Sequence, residues 1–531
     1  MTKLSPEFNR KHIAAWVWFV VVFLVFATFQ WFNTDHLITA DDSSEMILSK
    51  LLSEENALVS ENWYYSTEIR ILSMQLIQIP LFKVFKSWHL VRFLTSVIAA
   101  LIIEASFWCL LKQFRLSKYF PLAGSVLMMP FCEDYYIYVL NTPYYALVIA
   151  ASFLLVAMTL KFAESQKKLT KVLLLIGIFV LSGLSGTSGP RQLLMTQAPI
   201  CLAVFIKFLT EIKKGFLKSL KDNVPLIVPA ATGLIAFAAG YLSNNVFLSK
   251  NYHYFVWSNQ LVWEMPSVDK FAEITTSFIT SFGFSANGNS VGIVFYSILG
   301  FSIFILSLLI IYLGIRNFKK TDINSRYPFL IYVSMLIVYY GLYLLTDMLF
   351  MYATRYAVPI AVFIIPLILS GLSASIKKEK TLTAVLTVLL VLTSVTSGIR
   401  YFDYSQTDLV GDRGAIVHYL SDNEIDNFFT TFWDGNIVTE LTDGEVEAWI
   451  WLDEYNISKL ETPDQRYEWL QKASHFTEIP QGKCAVVLKR TEVTACPLGI
   501  TLSTSCKPSY ETYDYVLYVF DSYSDLEELF K

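Results

Sequence analysis

Over the first 400 positions, apolar runs of about 20 residues alternate with short polar stretches. They lie near 13–33, 89–111, 119–139, 142–160, 172–188, 192–210, 224–248, 291–314, 327–346, 356–375 and 381–399. A helix needs about 20 apolar residues to cross a hydrocarbon core of roughly 30 Å, so each run reads as a span and eleven are predicted. The first follows basic residues, as a signal peptide does. It is too long and lacks a small-residue cleavage site, so it reads as a retained span. Beyond Arg400 the period shortens. Apolar strands at 428–433, 447–452, 485–488 and 515–520 are separated by helical or turn-rich segments. The predicted fold class is therefore mainly α. It is a polytopic transmembrane helix bundle over 1–400 with a small C-terminal α/β domain over 401–531.

The segment 34–88 between the first two spans is too long for a hairpin and too short for a domain. Its stretch 46–58 is amphipathic. Its stretch 69–85 is apolar but broken by Arg70, Gln75, Gln78 and Pro80. Both suit helices lying in the membrane interface.

Composition agrees with this reading. Of 531 residues, 54% are hydrophobic and only 16% charged, with mean hydropathy +0.47. A soluble domain carries about a quarter charged residues. Charge also orients the chain. Alternate inter-span segments, beginning with the N-terminus, hold 22 Lys and Arg, among them Lys3, Lys319 and Lys320; the opposite set holds nine. The positive-inside rule then makes the N-terminus cytoplasmic, and an odd number of spans places the tail outside. The tail is acidic, with 24 Asp and Glu against nine Lys and Arg, a net of −15. Six cysteines form no CxxC pair, which removes support for zinc or thioredoxin-like chemistry. Cys496 and Cys506 are the nearest pair for a disulfide outside the cell. No nucleic-acid partner is expected.

Candidate chemistry gathers on the outer face. Asp41 and Asp42 follow the first span, with Glu45 close behind. Asp42 and Glu45 have the spacing of a capping box. Two adjacent carboxylates can equally serve as a general base toward a hydroxyl, or bind a divalent ion. Glu133 and Asp134 form a second acidic turn, either a solvated loop or part of the same groove. Arg191 and Arg355 are almost the only cations in their outer loops. They either reach lipid headgroups or grip a phosphate in the two-pronged way open to arginine. Trp63, Tyr64 and Tyr65 are an interfacial belt or a sugar platform. Glu104 falls inside the second span, where it packs against a neighbouring span or belongs to a polar path.

The acidic pair Asp41-Asp42 in a long first outer loop, the element Arg355-Tyr356-Ala357-Val358-Pro359 opening a late span, and a soluble C-terminal domain resemble the GT-C glycosyltransferases. That class includes protein O-mannosyltransferases and aminoarabinose transferases. The resemblance covers about residues 10–400. It implies a membrane enzyme that takes a sugar from a polyprenyl-phosphate donor, with inversion, to a hydroxyl of a glycan, lipid or protein acceptor. It further implies Asp41 or Asp42 as catalytic base and Arg355 as a phosphate ligand, with Tyr356 in the same element. The donor, membrane lipids and the acceptor are the expected partners; a divalent ion is compatible but not required. A flippase or transporter of a lipid-linked or anionic substrate, or a non-catalytic envelope-assembly protein, is the alternative. A transporter would need ionisable residues through the midplane, and few spans carry them.

Overall fold

The computed structural model describes residues 6–66, 69–254, 262–285, 291–318, 323–347, 353–451 and 454–531. Lys3, Lys319, Lys320 and Leu452, which entered the sequence reading, lie outside the described residues.

Among the described residues, ten helices are long and apolar enough to cross a membrane. They include α1 (Pro6–Asn33) and, after the loop helices α2 (Ala40–Glu55) and α3 (Gln75–Phe82), the span α4 (Trp88–Gln113). The short α5 (Phe120–Leu127) is followed by α6 (Ala146–Glu164), α7 (Lys168–Thr187), α8 (Ala198–Glu211) and α9 (Phe216–Leu242). Then come α10 (Val268–Thr280), α11 (Val291–Asn317), α12 (Ile323–Leu345), α13 (Ala353–Ser375) and α14 (Glu379–Tyr404). The chain is thus a multi-pass membrane protein. Small residues allow the closest crossing: a Cβ on Gly240 would stand 2.0 Å from the Gly183 carbonyl oxygen, so α7 and α9 touch backbone to backbone.

The run at 119–139 is not one helix. α5 has eight residues and rises about 12 Å, too little to span. Pro130 disfavours helical backbone at Met129, and the helix stops. The chain still travels the height of the bundle beside α14. Lys118 pairs with Glu379 at 3.2 Å. Ser125 bonds Ser394 at 3.2 Å, and the Tyr401 hydroxyl donates to the Met128 carbonyl at 2.6 Å. Tyr136 then stacks on Tyr404 with centroids 4.0 Å apart. Irregular backbone at this depth is tolerated because residues 125–132 are buried in protein rather than lipid. The start of α1, with Trp16 against Phe120, and the tail therefore lie at opposite ends of the bundle. At the tail end, the chain widens into π-helical turns at Tyr136–Asn141, Leu193–Gln197 and Ser243–Leu248. Such turns are frequent near functional sites.

The first loop is less helical than its pattern suggests. Of 69–85 only α3 is helical, with Pro80 inside it. Upstream, β1 (Tyr64–Tyr65) pairs in parallel with β2 (His253–Tyr254).

The tail holds β3 (Asn427–Thr430), β4 (Glu447–Ile450), β5 (Cys484–Lys489), β6 (Tyr510–Glu511) and β7 (Tyr515–Phe520) in the order β4-β3-β5-β7-β6. β4, β3 and β5 are parallel, and β7 runs antiparallel to β5 and β6. Neighbouring residues face opposite layers: Phe428 and Val487 pack with Ile416 and Leu420, whereas Phe429 and Val486 pack with Trp451 and Leu526. A sheet covered on both faces reads as continuous apolar runs, and that is why these strands stood out in the sequence. The strand expected at 428–433 stops at Thr430. From Phe432 the chain forms α16 (Phe432–Leu441), which follows α15 (Arg413–Asp422). Gly435 is needed there, because a Cβ would stand 2.3 Å from the Ile450 Cδ1 of β4. α17 (Arg490–Ala495) and α18 (Pro497–Ser505) complete the side of β5. All six cysteines are free. Cys496 and Cys506 cap opposite ends of α18, about 15 Å apart at helical rise, too far for a disulfide.

The tail is docked on the first loop. Arg92 of α4 forms a two-pronged pair with Glu440 of α16, at 2.5 and 2.6 Å, both side chains buried. Asn436 donates to Ser44 of α2 at 2.7 Å. Asp443 accepts from the Trp88 backbone N–H at 2.6 Å. The tail segment at Phe432–Leu441 is thus a docking element.

Candidate functional site

Thr39 caps α2. Its hydroxyl accepts from the Asp42 N–H at 3.4 Å, and the Asp42 carboxylate accepts from the Thr39 N–H at 3.1 Å. The capping box therefore sits three residues before the expected Asp42–Glu45 pair. It turns Asp42 inward, to 2% exposure, beside Arg92. Burial pushes the Asp42 carboxyl up to about 6, with Arg92 and the Thr39 bond opposing. The carboxylate one residue earlier turns the other way. Asp41 lines a cleft with Glu45, Arg70, Arg191, Arg355, Tyr138, Tyr144, Tyr145 and Trp469.

Each arginine of the cleft lies over a tyrosine. Arg355 opens α13 and stacks over Tyr138 at 3.9 Å, also donating to its hydroxyl. Arg70 lies over Tyr144 at 5.7 Å and Arg191 over Tyr145 at 5.9 Å. Gly189, at φ +87, makes the turn that delivers Arg191, and Ser188 anchors it by accepting from the Leu72 N–H at 3.2 Å. The Tyr144 hydroxyl donates to the Asp41 carbonyl at 2.9 Å, which ties the start of α2 to the bundle. Burial raises the Asp41 carboxyl above its ordinary range, and Arg70 and Arg355 pull against it. Glu45, one turn along, is raised by burial as well; Arg70 at 3.4 Å and the Gln75 amide oppose that. A small lobe walled by Leu48, Leu52, Ile71, Leu76 and Ile79 shares Glu45 and Arg70 with the cleft.

Asp41, Arg191 and Arg355 thus meet, and the remaining candidates fall elsewhere. Asp134 does not line the cleft; it faces Arg355, and burial raises its carboxyl to about 6 against that arginine. Glu133 is exposed at the bundle end. Tyr356 packs against the main core. Trp63 is fully buried and bridges to Lys472, while Tyr64 lies between the rings of His253 and Phe476. Both aromatics fasten the tail, and Trp63 also lines the lobe beside the cleft. Glu104 is buried within α4 beside Gly124 and Phe19, and neither carboxylate oxygen has a hydrogen-bond partner among the described residues. The described residues bring together no three His, Cys, Asp or Glu side chains suited to a metal.

Arg70 was the main omission. It is a lone cation between apolar stretches on the face where cations are scarce, and that was its signal. Trp469 had no local signal, because the tail brings it from 400 residues away.

The sequence matches no family profile and no curated protein sequence. The structure does resemble solved ones. ArnT from Cupriavidus metallidurans bound to undecaprenyl phosphate superposes with a TM-score of 0.56 at 11% identity, over 94% of this chain and 97% of that one. Its apo form gives 0.55 at 10% identity, over 96% and 98%. ArnT is an aminoarabinose transferase of the GT-C class. The chain therefore has the GT-C fold, from the first span through the tail.

Proposed function

We propose that this GT-C-fold chain is a membrane glycosyltransferase that moves a sugar from a polyprenyl-phosphate donor to an acceptor hydroxyl at the outer face. One observation carries the reading: a raised carboxylate, Asp41, shares a cleft with three arginines at the tail end of the bundle. The undecaprenyl phosphate bound in the ArnT structure and the apolar lobe beside the cleft support a lipid-linked donor. The 22-to-9 partition of basic residues assigns that end to the outside.

In this reading the guanidiniums of Arg191, Arg355 and Arg70 face the donor phosphate. Asp41 accepts the proton of the acceptor hydroxyl as its oxygen bonds the anomeric carbon from the side opposite the phosphate. The bond from that carbon to the phosphate oxygen breaks, and its electron pair stays on the phosphate. The arginines stabilise the charge that develops there. Asp41 suits the base because a raised carboxylate is the stronger proton acceptor once ionised. Asp42 holds the helix that presents it. No step needs a metal.

Binding tests the donor assignment. Undecaprenyl phosphate should bind the purified protein in nanodiscs, and Arg355→Lys and Arg191→Lys should each weaken it by about 1–3 kcal/mol. Equal affinity in wild type and both variants would remove the phosphate site from this cleft.

A further inference from the structure

Four aromatic side chains line the cleft, and Tyr138, Tyr144 and Tyr145 each lie under a guanidinium. The fourth, Trp469, comes from the tail and stands half-buried in the wall that also holds Leu470. Its ring packs 4.5 Å from that of Phe432 in α16 and edge-on to Tyr467 at 5.6 Å. Two backbone bonds fix the segment: the Leu470 N–H donates to the Tyr64 carbonyl at 2.8 Å, and the Tyr64 N–H donates to the Gln471 carbonyl at 2.9 Å.

Leu470 itself has φ +48, a left-handed backbone that leucine rarely adopts. Such strain persists where surrounding structure enforces it, and it concentrates at ligand sites. Here it lies next to the indole, at a residue whose own N–H bonds the first loop. A tryptophan held in a polar cleft beside a carboxylate and arginines offers an apolar, polarisable surface to the C–H face of a sugar ring.

We propose that Trp469 is the platform for the donor's sugar ring, so that the tail completes the substrate site and selects the sugar. This rests on the glycosyltransferase reading above. The phosphate lies with the arginines, and the sugar attached to it reaches toward Asp41 and the wall formed by Trp469. Trp469 is thus a specificity-determining residue contributed by the C-terminal domain.

The test compares two ligands on the full-length protein in nanodiscs: undecaprenyl phosphate, and the tightest binder from a panel of undecaprenyl-phosphate glucose, mannose, galactose and aminoarabinose. In Trp469→Ala the affinity for the glycoside should fall about tenfold, with undecaprenyl phosphate unchanged. Trp469→Phe should restore most of the loss, and Trp469→Leu, which fills space without a ring, should not. If Trp469→Ala does not fold, the Phe and Leu variants decide the matter by the same ratio. Glycoside affinity within twofold of wild type in Trp469→Leu, or parallel losses for both ligands, overturns the platform while leaving the phosphate site standing. Wild-type protein that binds neither ligand overturns the glycosyltransferase reading itself.

Discussion

Replacing Glu440 by glutamine keeps the shape of the side chain and removes its charge, so it isolates the ion pair that fastens the tail. In the native protein both oxygens meet Arg92, at 2.5 and 2.6 Å, and the two side chains are 5% and 2% exposed. Breaking a buried pair by removing one partner costs about 3–5 kcal/mol, because the other charge is left without compensation. Asp42 and Asp35 also face Arg92 and compensate in part, which puts the expected loss near the lower bound, about 3 kcal/mol. Denaturant unfolding of detergent-solubilised protein, followed by tail tryptophan fluorescence, reads this directly. Arg92→Met alone should cost a similar amount by stranding Glu440. The double variant Arg92→Met/Glu440→Leu should recover much of the stability, since neither partner of the pair is left stranded and only the Asp42 carboxyl beside it remains. A Glu440→Gln protein within about 0.5 kcal/mol of wild type, or a double variant no better than the sum of its singles, would refute the reasoning.

Further outcomes follow from the same geometry. Asp42→Asn should leave turnover measurable, because Asp42 does not line the cleft and the amide oxygen can still accept from the Thr39 N–H. A loss of turnover as complete as that of an Asp41 variant would contradict this. Because its folded pKa of about 6 lies above the ordinary 3.8, the folded state holds the Asp42 proton more tightly. Wild-type stability should therefore fall by up to about 3 kcal/mol as pH rises from roughly 4 to 6, and Asp42→Asn should flatten that slope in pH-dependent unfolding. Arg70→Gln removes a charge that holds the Asp41 carboxyl down, so the acid limb of the pH–rate profile should move to higher pH. An unmoved limb would separate Asp41 from the titration. For topology, a cysteine at Tyr513, 88% exposed in the tail, should react with a membrane-impermeant maleimide on intact cells, in a background lacking Cys506. Reaction only after permeabilisation would reverse the orientation.

The spans were legible because lipid-facing helices must be apolar over their whole length, and ten of the eleven runs are continuous helices of that kind. The remaining run shows what hydropathy does not record: buried irregular backbone is as apolar as a helix, and only Pro130 marks the break. Local rules misplaced the capping box because two overlapping frames, Thr39–Asp42 and Asp42–Glu45, both fit. The bonds decide between them: Asp42 exchanges two with Thr39, and Glu45 accepts from Arg70 and Gln75 instead. Asp41, Arg191 and Arg355 were visible as rare charges on one face. Trp63 and Tyr64 looked equally suited to sugar. Whether an aromatic faces a ligand or a neighbouring domain depends on contacts hundreds of residues away, such as the bridge from Trp63 to Lys472. For the same reason, Trp469 could not be read from its surroundings in the chain.

The most direct measurement is turnover: release of undecaprenyl phosphate, followed by mass spectrometry, from the undecaprenyl-phosphate glycoside panel incubated with purified protein and a cell-envelope extract as acceptor. Wild-type protein is expected to release the carrier from at least one glycoside. Asp41→Asn, folded and with undecaprenyl-phosphate binding intact, is expected to be slower by about 10²–10⁴-fold. Release by Asp41→Asn at the wild-type rate would contradict the assignment of the base, and no release by wild-type protein from any member of the panel would contradict the transferase itself.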